Sequence, residues 1–292
     1  MEKAKVLFTK EITPEALIKI YNKLGVELKG KVAIKLHSGE DGNQNYLRPD
    51  FMKELVEKLN ATVVECNTAY PGQRTSNTKH RKLLTKHGWD KYYNVDIMDE
   101  NGDIVLDIPD GKVLKKNYVG KNIKNYDSML VLSHFKGHPM GGFGGALKQL
   151  SIGCASRRGK AYIHGAGKTK SALLVWKMLP PQDAFLESMA DAASSVHNLF
   201  KGNIVYINVM KNMSVDCDCC KVAEDPCLKD IGILASTDPI AIDKACIDLV
   251  KNSNDPGKEH FMERVTSRNG EHTIEAANIL GFGTTEYELE EI

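Results

Sequence analysis

Four cysteines, Cys217, Cys219, Cys220 and Cys227, fall within eleven residues in the run DCDCCKVAEDPC. Thiolates are soft ligands suited to zinc, nickel and iron–sulfur clusters. Four is the number a closed site needs, but the spacing is neither the paired C-x-x-C of a zinc ribbon nor a ferredoxin run. Cys219 and Cys220 are adjacent, and neighbours on an extended chain point to opposite faces. Two or three thiolates are therefore expected to ligate a metal or cluster, with His164 or a substrate completing the shell. Asp216 and Asp218 suit ligation, support of a ligand, or proton transfer. Of the other three cysteines, Cys66 and Cys246 read as small buried hydrophobes.

The second unusual stretch is Ser133–Gly167, SHFKGHPMGGFGGALKQLSIGCASRRGKAYIHGAG. Gly141, Gly142, Gly144 and Gly145 permit positive φ and close backbone approach to a ligand. They lead into a helix start, where free N–H groups and the helix dipole favour an anion. Lys148 falls about one turn into that helix, so a phosphate, a carboxylate or a cofactor anion suits the place. His138 is the best candidate for general acid or base. The GAGKT run at Gly165–Thr169 lacks the leading glycine and the preceding strand of a nucleotide-binding loop, so tight nucleotide binding is not expected.

Asn67–Gly88 places Arg74 in a Pro-Gly turn before a helix start, where a guanidinium can clamp a carboxylate or phosphate. His80 and His87 on that helix are expected to face solvent. His37 and Arg48 belong to an earlier loop. His197, His260 and His272 stand alone and read as ordinary histidines.

These groups lie far apart in the chain, so a fold must gather them. The 292 residues are 42% hydrophobic and 26% charged, an ordinary globular composition. With 39 basic and 38 acidic residues the net charge is +1, which gives no bulk argument for nucleic acid or an anionic membrane. No apolar run is long enough to span a bilayer, and the first residues are too charged for a signal peptide. The cytoplasm is the expected compartment, where crowded cysteines read as metal or redox chemistry.

Strands are expected at Lys5–Phe8, Lys31–Leu36, Thr62–Glu65 and Ser128–Ser133. Helices are expected at Pro14–Leu24, capped by Thr13, at Pro49–Leu59, and at Thr78–His87, ended by Gly88. Asn94–Met98 and Ile104–Asp107 read as strands around a turn at Asn101–Gly102. Farther on come a helix at Ala146–Ile152, a helix at Asp183–Phe200 capped by Asp183, and strands at Asn203–Val209 and Ile231–Ala235. A helix opened by Asp238 and Pro239 runs through Val250, another spans Thr273–Leu280, and Tyr287–Ile292 adds a closing strand. Such alternation implies an α/β fold in two lobes, residues 1–133 and 134–292, with mostly parallel sheets covered by helices. Ligands of open α/β sheets sit at the carboxyl ends of strands. Four loops leave such ends, His37–Arg48, Asn67–Thr78, His134–Gly145 and Met210–Asp230, and they carry the unusual residues. One composite site is therefore expected.

Several pieces resemble the domain of unknown function 362 family, whose members are often described as uncharacterised iron–sulfur centre proteins. They are Tyr70, Gly72-Gln73-Arg74, Thr78, His80 and His87-Gly88; the segment FKGHPMGGFGGALKQLSIGCA; Asp216-Cys217-Asp218-Cys219; and DIGILASTDPIAIDKACIDLV. Together they span roughly residues 30–285. Many family members carry a ferredoxin-like insert after the segment equivalent to His164, and this chain has no C-x-x-C-x-x-C run there. A more distant similarity is to the nickel-pincer lactate racemases. That resemblance implies a histidine, a cofactor-holding lysine and a nickel-binding histidine at the spacing of His138, Lys148 and His164. Where that family has one of two catalytic bases this chain has Gln73, which takes no proton at neutral pH. A symmetrical two-base racemase is not expected.

The sequence thus predicts a metal- or iron–sulfur-dependent enzyme of redox or proton-transfer type acting on a small anionic substrate. Gly141–Gly145 and Lys148 would hold an anionic cofactor or substrate. His164 and some of Cys217, Cys219, Cys220 and Cys227 would bind an iron–sulfur cluster or a single iron, nickel or zinc, and the racemase resemblance implies a nickel-pincer type. Arg74 would orient a carboxylate. The rival expectation is a non-catalytic electron-transfer or metal-carrier protein that docks a separate ferredoxin. An enzyme calls for a closed cavity joining glycines to cysteines; a carrier calls for exposed cysteines and no pocket.

Overall fold

In the computed structural model, which describes residues 3–292, the strands numbered along the chain are β1 (Ala4–Thr9), β2 (Val32–Lys35), β3 (Thr62–Glu65), β4 (Asp96–Ile97), β5 (Asp103–Asp107), β6 (Lys116–Gly120), β7 (Ser128–His134), β8 (Lys136–His138), β9 (Gly142–Gly144), β10 (Ile204–Met210), β11 (Gly232–Ser236) and β12 (Tyr287–Glu291). Eight of them form one sheet in the order β12-β1-β11-β10-β7-β2-β3-β4. Only β11 runs antiparallel to its neighbours; the other pairings are parallel. The sheet takes strands from both sides of residue 133.

The helices are α1 (Pro14–Leu24), α2 (Lys53–Lys58), α3 (Asn77–Lys86), α4 (Ala146–Lys148), α5 (Arg157–His164), α6 (Gln182–Leu199), α7 (Pro239–Lys251), α8 (Lys258–Ser267) and α9 (His272–Leu280). Period-two alternation sorts the sheet residues to two faces. Met129 and Val131 of β7 and Tyr206 of β10 join Leu147, Ala193, Ile240 and Phe261 on one face. Leu130, Leu132 and Ile207 meet Leu17, Ile20 and Leu55 on the other. This doubly covered sheet is the α/β architecture expected from the alternation of elements.

Local chemistry sets the helix ends. Thr13 accepts the Ala16 N–H at 3.1 Å, and Gly25 ends α1 at φ +71°. Asp238 accepts the Ile240 and Ala241 N–H groups ahead of Pro239. Three expectations are corrected. Asn94–Met98 and Ile104–Asp107 do not form a hairpin: β4 adds in parallel to β3, while β5 pairs with β6. Ile97 is wholly buried at the sheet edge and β5 is half-exposed, so the two belong to different layers. Asp183 does not cap α6, which starts after Pro181; its carboxylate accepts from Asn269 Nδ2 instead. Arg157–His164 and Lys258–Ser267 are helices where no helix was expected.

Candidate functional site

The loop after β10 folds back beneath the β8–β9 hairpin. Gly137 N–H donates to Ser214 O at 2.8 Å, and Cys227 N–H donates to Met213 O at 3.0 Å. A Cβ on Gly137 would stand 2.3 Å from Val215 O, so glycine is needed for this approach. The loop between β2 and α2 clamps the cysteines from the other side. Asn43 Nδ2 donates to Cys217 O at 3.3 Å and to Cys220 O at 2.9 Å. Gln44 and Asn45 hold Ala223 O and Glu224 O in the same way.

At the centre of this arrangement Lys148 Nζ donates to Cys217 Sγ at 3.4 Å. One ligand atom each from His138, Cys217 and Cys219 lie within 4.8 Å of one another. Cys217 is 0% exposed. Its burial opposes ionisation, yet the Cys219 hydrogen bond, the Lys148 charge and His138 hold the thiol well below its usual range. Burial, then Lys148, pushes His138 down to about 4. His138 Nδ1 accepts the Gly141 N–H at 2.8 Å and the Met140 N–H at 3.2 Å. A neutral imidazole with Nδ1 as acceptor carries its proton on Nε2. Next door, Asp218 accepts from His134 Nδ1 at 2.8 Å and lies 3.1 Å from Lys136 Nζ. Burial raises that carboxyl, but His134 and Lys136 outweigh it and keep it well below the ordinary aspartate value.

A cavity of about 240 Å³ opens beside this centre, lined among others by His138, Lys148, Cys219, Cys220, His164 and Arg74. On its far wall His164 Nδ1–H donates to Lys160 O at 2.7 Å, which leaves an unprotonated Nε2. Its ring stacks on Phe185 at 5.2 Å, and burial lowers it to about 4. The floor is a buried ion network. Lys35 Nζ, 0% exposed, meets Glu65 Oε2 at 2.8 Å. Arg74 Nη1 meets Glu65 Oε1 at 3.3 Å, and its Nη2 lies 3.0 Å from His37 Nε2. Glu40 Oε2 stands 3.6 Å from Arg74 Nε. Burial raises Glu65, but Lys35 and Arg74 hold it well below the usual carboxylate range. A π-helical turn, Gln149–Gly153, continues α4 along the same wall.

The structure thus gathers His138, Lys148, His164, Arg74, Cys219 and Cys220 around one cavity with Cys217 beneath it. Cys227 stands apart: its thiol donates to Met213 O at 3.4 Å, and burial pushes it up to about 11. The glycines have other work. The free N–H groups of Ala146 and Leu147 already donate to Asp243 at 2.7 and 2.9 Å, so a protein carboxylate fills the helix start expected to take an anion. Gly145 makes room for that carboxylate, and Gly142, at φ +78°, packs on Gly270. Gly141, Gly142, Gly144 and Gly145 do not line the large cavity; Gly144 and Gly145 border a void of about 10 Å³. His80 is buried rather than solvent-facing, and His87 stacks on Tyr46 at 4.7 Å. Sequence reasoning passed over Lys35, Glu65, Glu40 and Asn43. The one signal for the first two was a charge closing an otherwise apolar strand.

The family model described as Domain of unknown function (DUF362) matches residues 32–248. No curated protein matches. Among solved structures, a lactate racemase apoprotein from Thermoanaerobacterium thermosaccharolyticum aligns at 16% identity over 70% of this chain and 50% of that one, with TM-score 0.41. A protein from Thermotoga maritima aligns at 13% identity over 91% of this chain and 58% of that one, with TM-score 0.46. The chain spans between 50% and 58% of the length of these two neighbours. Among the described residues no helix is long and apolar enough to cross a membrane.

Proposed function

The chain belongs to the domain of unknown function 362 family, and on that premise we propose that it is a metal-dependent enzyme that moves protons or electrons on a small anionic substrate. One observation carries this reading. The buried Cys217 thiol stands beside Cys219, His138 and Lys148, and these three line a cavity of about 240 Å³ that is large enough for a small molecule. A carrier protein needs its cysteines where a partner can reach them, and Cys217 is fully buried.

The donor set fits a single soft transition metal better than a four-iron cluster. Cys217 and Cys219 stand close together with His138, Cys220 adjoins Cys219, and Cys227 lies outside the group. Cys217 and Cys219 would hold the metal. His138 reaches the same point, but its Nε2 carries a proton, so its role is hydrogen-bond donor to negative charge at Cys217. A bound metal would supply Lewis acidity or a redox couple. The Cys219 hydrogen bond and the Lys148 ammonium favour the thiolate of Cys217. His164, with a lone pair on Nε2 and a ring fixed by Lys160 O and Phe185, is the group built to accept a proton or complete a coordination shell.

The test is elemental analysis of anaerobically purified protein. Near one equivalent of iron, nickel or zinc is expected, lost in Cys217→Ser and Cys219→Ser and retained in Cys227→Ser. Absence of all three metals, or retention in both of the first two variants, refutes the reading.

A further inference from the structure

Among the described residues around the cavity, buried charges meet an opposite partner with a single exception. Lys35 and Arg74 face Glu65 and Glu40; Lys136 and His134 face Asp218; Lys148 faces Cys217. Lys160 lines the same cavity at 5% exposure, yet it makes no ion pair with a carboxylate among the described residues. Its ammonium has one hydrogen-bond acceptor, Ala155 O at 2.6 Å, out of the three it can use. Burial lowers the Lys160 pKa; the nearby Cys66 thiol does not compensate, because burial pushes that thiol well above its usual value, and Asp99 and Glu65 act on the ammonium only from beyond ion-pair distance. A buried cation with no counter-charge in contact is costly, and a ligand carboxylate would relieve that cost.

A second donor waits in the same place. Trp176 lines the cavity, and its Nε1 is buried with no hydrogen-bond partner. Its ring lies 5.4 Å from that of His164, which sits one turn after Lys160 on α5. A buried indole N–H left unpaired calls for an acceptor that arrives with a ligand.

We propose that Lys160 and the Trp176 indole form a carboxylate subsite, which fixes the anionic end of a small carboxylic acid while its other end faces Cys219 and His138. The assignment rests on the cavity being the substrate site and names the group by which the substrate is held. Lys160 neutralises one carboxylate oxygen, Trp176 Nε1–H donates to the carboxylate, and Ile152 and Met140 offer apolar walls to a short hydrocarbon chain.

Isothermal titration of the purified protein with butyrate and with its neutral isostere butyramide tests this. The wild type is expected to prefer butyrate by about tenfold or more, the scale of one hydrogen-bonded charge. Lys160→Met is expected to abolish that preference and leave butyramide binding in place. Its melting temperature should be equal to or above that of the wild type, because a buried unpaired charge has been removed; a purely structural lysine would lower it. Trp176→Phe keeps the ring and should weaken butyrate about threefold to tenfold. An undiminished preference for butyrate in Lys160→Met overturns the subsite. Should that variant fail to fold, unchanged butyrate affinity in Trp176→Phe overturns it. If the wild type binds neither probe, the subsite and the substrate role of the cavity fall together, whereas metal content reports on the thiol centre separately.

Discussion

Two histidines face one cavity in opposite states. His138 spends Nδ1 on two backbone N–H groups and presents a proton; His164 spends its Nδ1–H on Lys160 O and presents a lone pair. The sequence could name both residues but not these states, because a neighbour's backbone decides each. Burial lowers both from 6.5 to about 4, and lowers His80 to about 3. The unfolded chain therefore binds more protons than the folded one between those values, so stability falls as pH drops through that window. At about 1.4 kcal/mol per pH unit, His138 and His164 each contribute at most about 3.5 kcal/mol and His80 at most about 5 kcal/mol. Denaturant melts should show stability that is flat above about pH 7 and declines towards pH 4.5, with a shallower decline in His164→Gln; equal stability at pH 7 and 4.5 would refute the buried neutral imidazoles. Residue types that are rare in combination, the cysteine run and the glycines with His138 and Lys148, were legible from sequence. Lys35 and Glu65 were not, since a charge at the end of a short strand is ordinary until the two strands meet. His80 was misread from its polar neighbours, although its spacing to Leu83 and Leu84 marks the inner face of α3.

The cysteine loop owes its shape to segments that carry no chemistry of their own. Asn43 holds the carbonyls of Cys217 and Cys220 together, and Gly137 lets the loop lie against β8. Asn43→Ala should lower stability by about 1–3 kcal/mol, the cost of leaving buried carbonyls without donors. It should also release the half-buried Cys220, read as faster reaction with a thiol reagent under native conditions. Unchanged thiol kinetics would mean that the loop holds itself. Elements with strong signals, such as α1 with Thr13 and Gly25 at its ends, were legible to the residue. Helix α5 was not, because RRGKAYIH is short and polar, carries Gly159 in its interior, and gains its stability by burying Ala161, Ile163 and His164 against other elements. β6 was hidden for a like reason: its partner β5 was assigned to β4, and only tertiary packing separates them.

At the scale of the molecule, a doubly covered sheet brings loops from residues 37–48, 67–78, 134–145 and 210–230 to one cavity. That these four loops meet at one cavity followed from strand–helix alternation and from the unusual residues they carry. Its chemistry did not, because Asp243, more than 90 residues beyond the glycines, supplies the anion that the helix start of α4 needs. That leaves Lys148 free for Cys217 and moves the ligand space from the glycine turn to the cavity bounded by His138, His164 and Cys219. The most direct examination of this account is an anomalous difference map, recorded at the absorption edge of the metal found in the purified protein. The account predicts one peak between the Cys217 and Cys219 sulfurs, on the side of the cavity that His138 and Lys148 share. A peak at Cys227 or at a surface histidine, with none at Cys217, would contradict it.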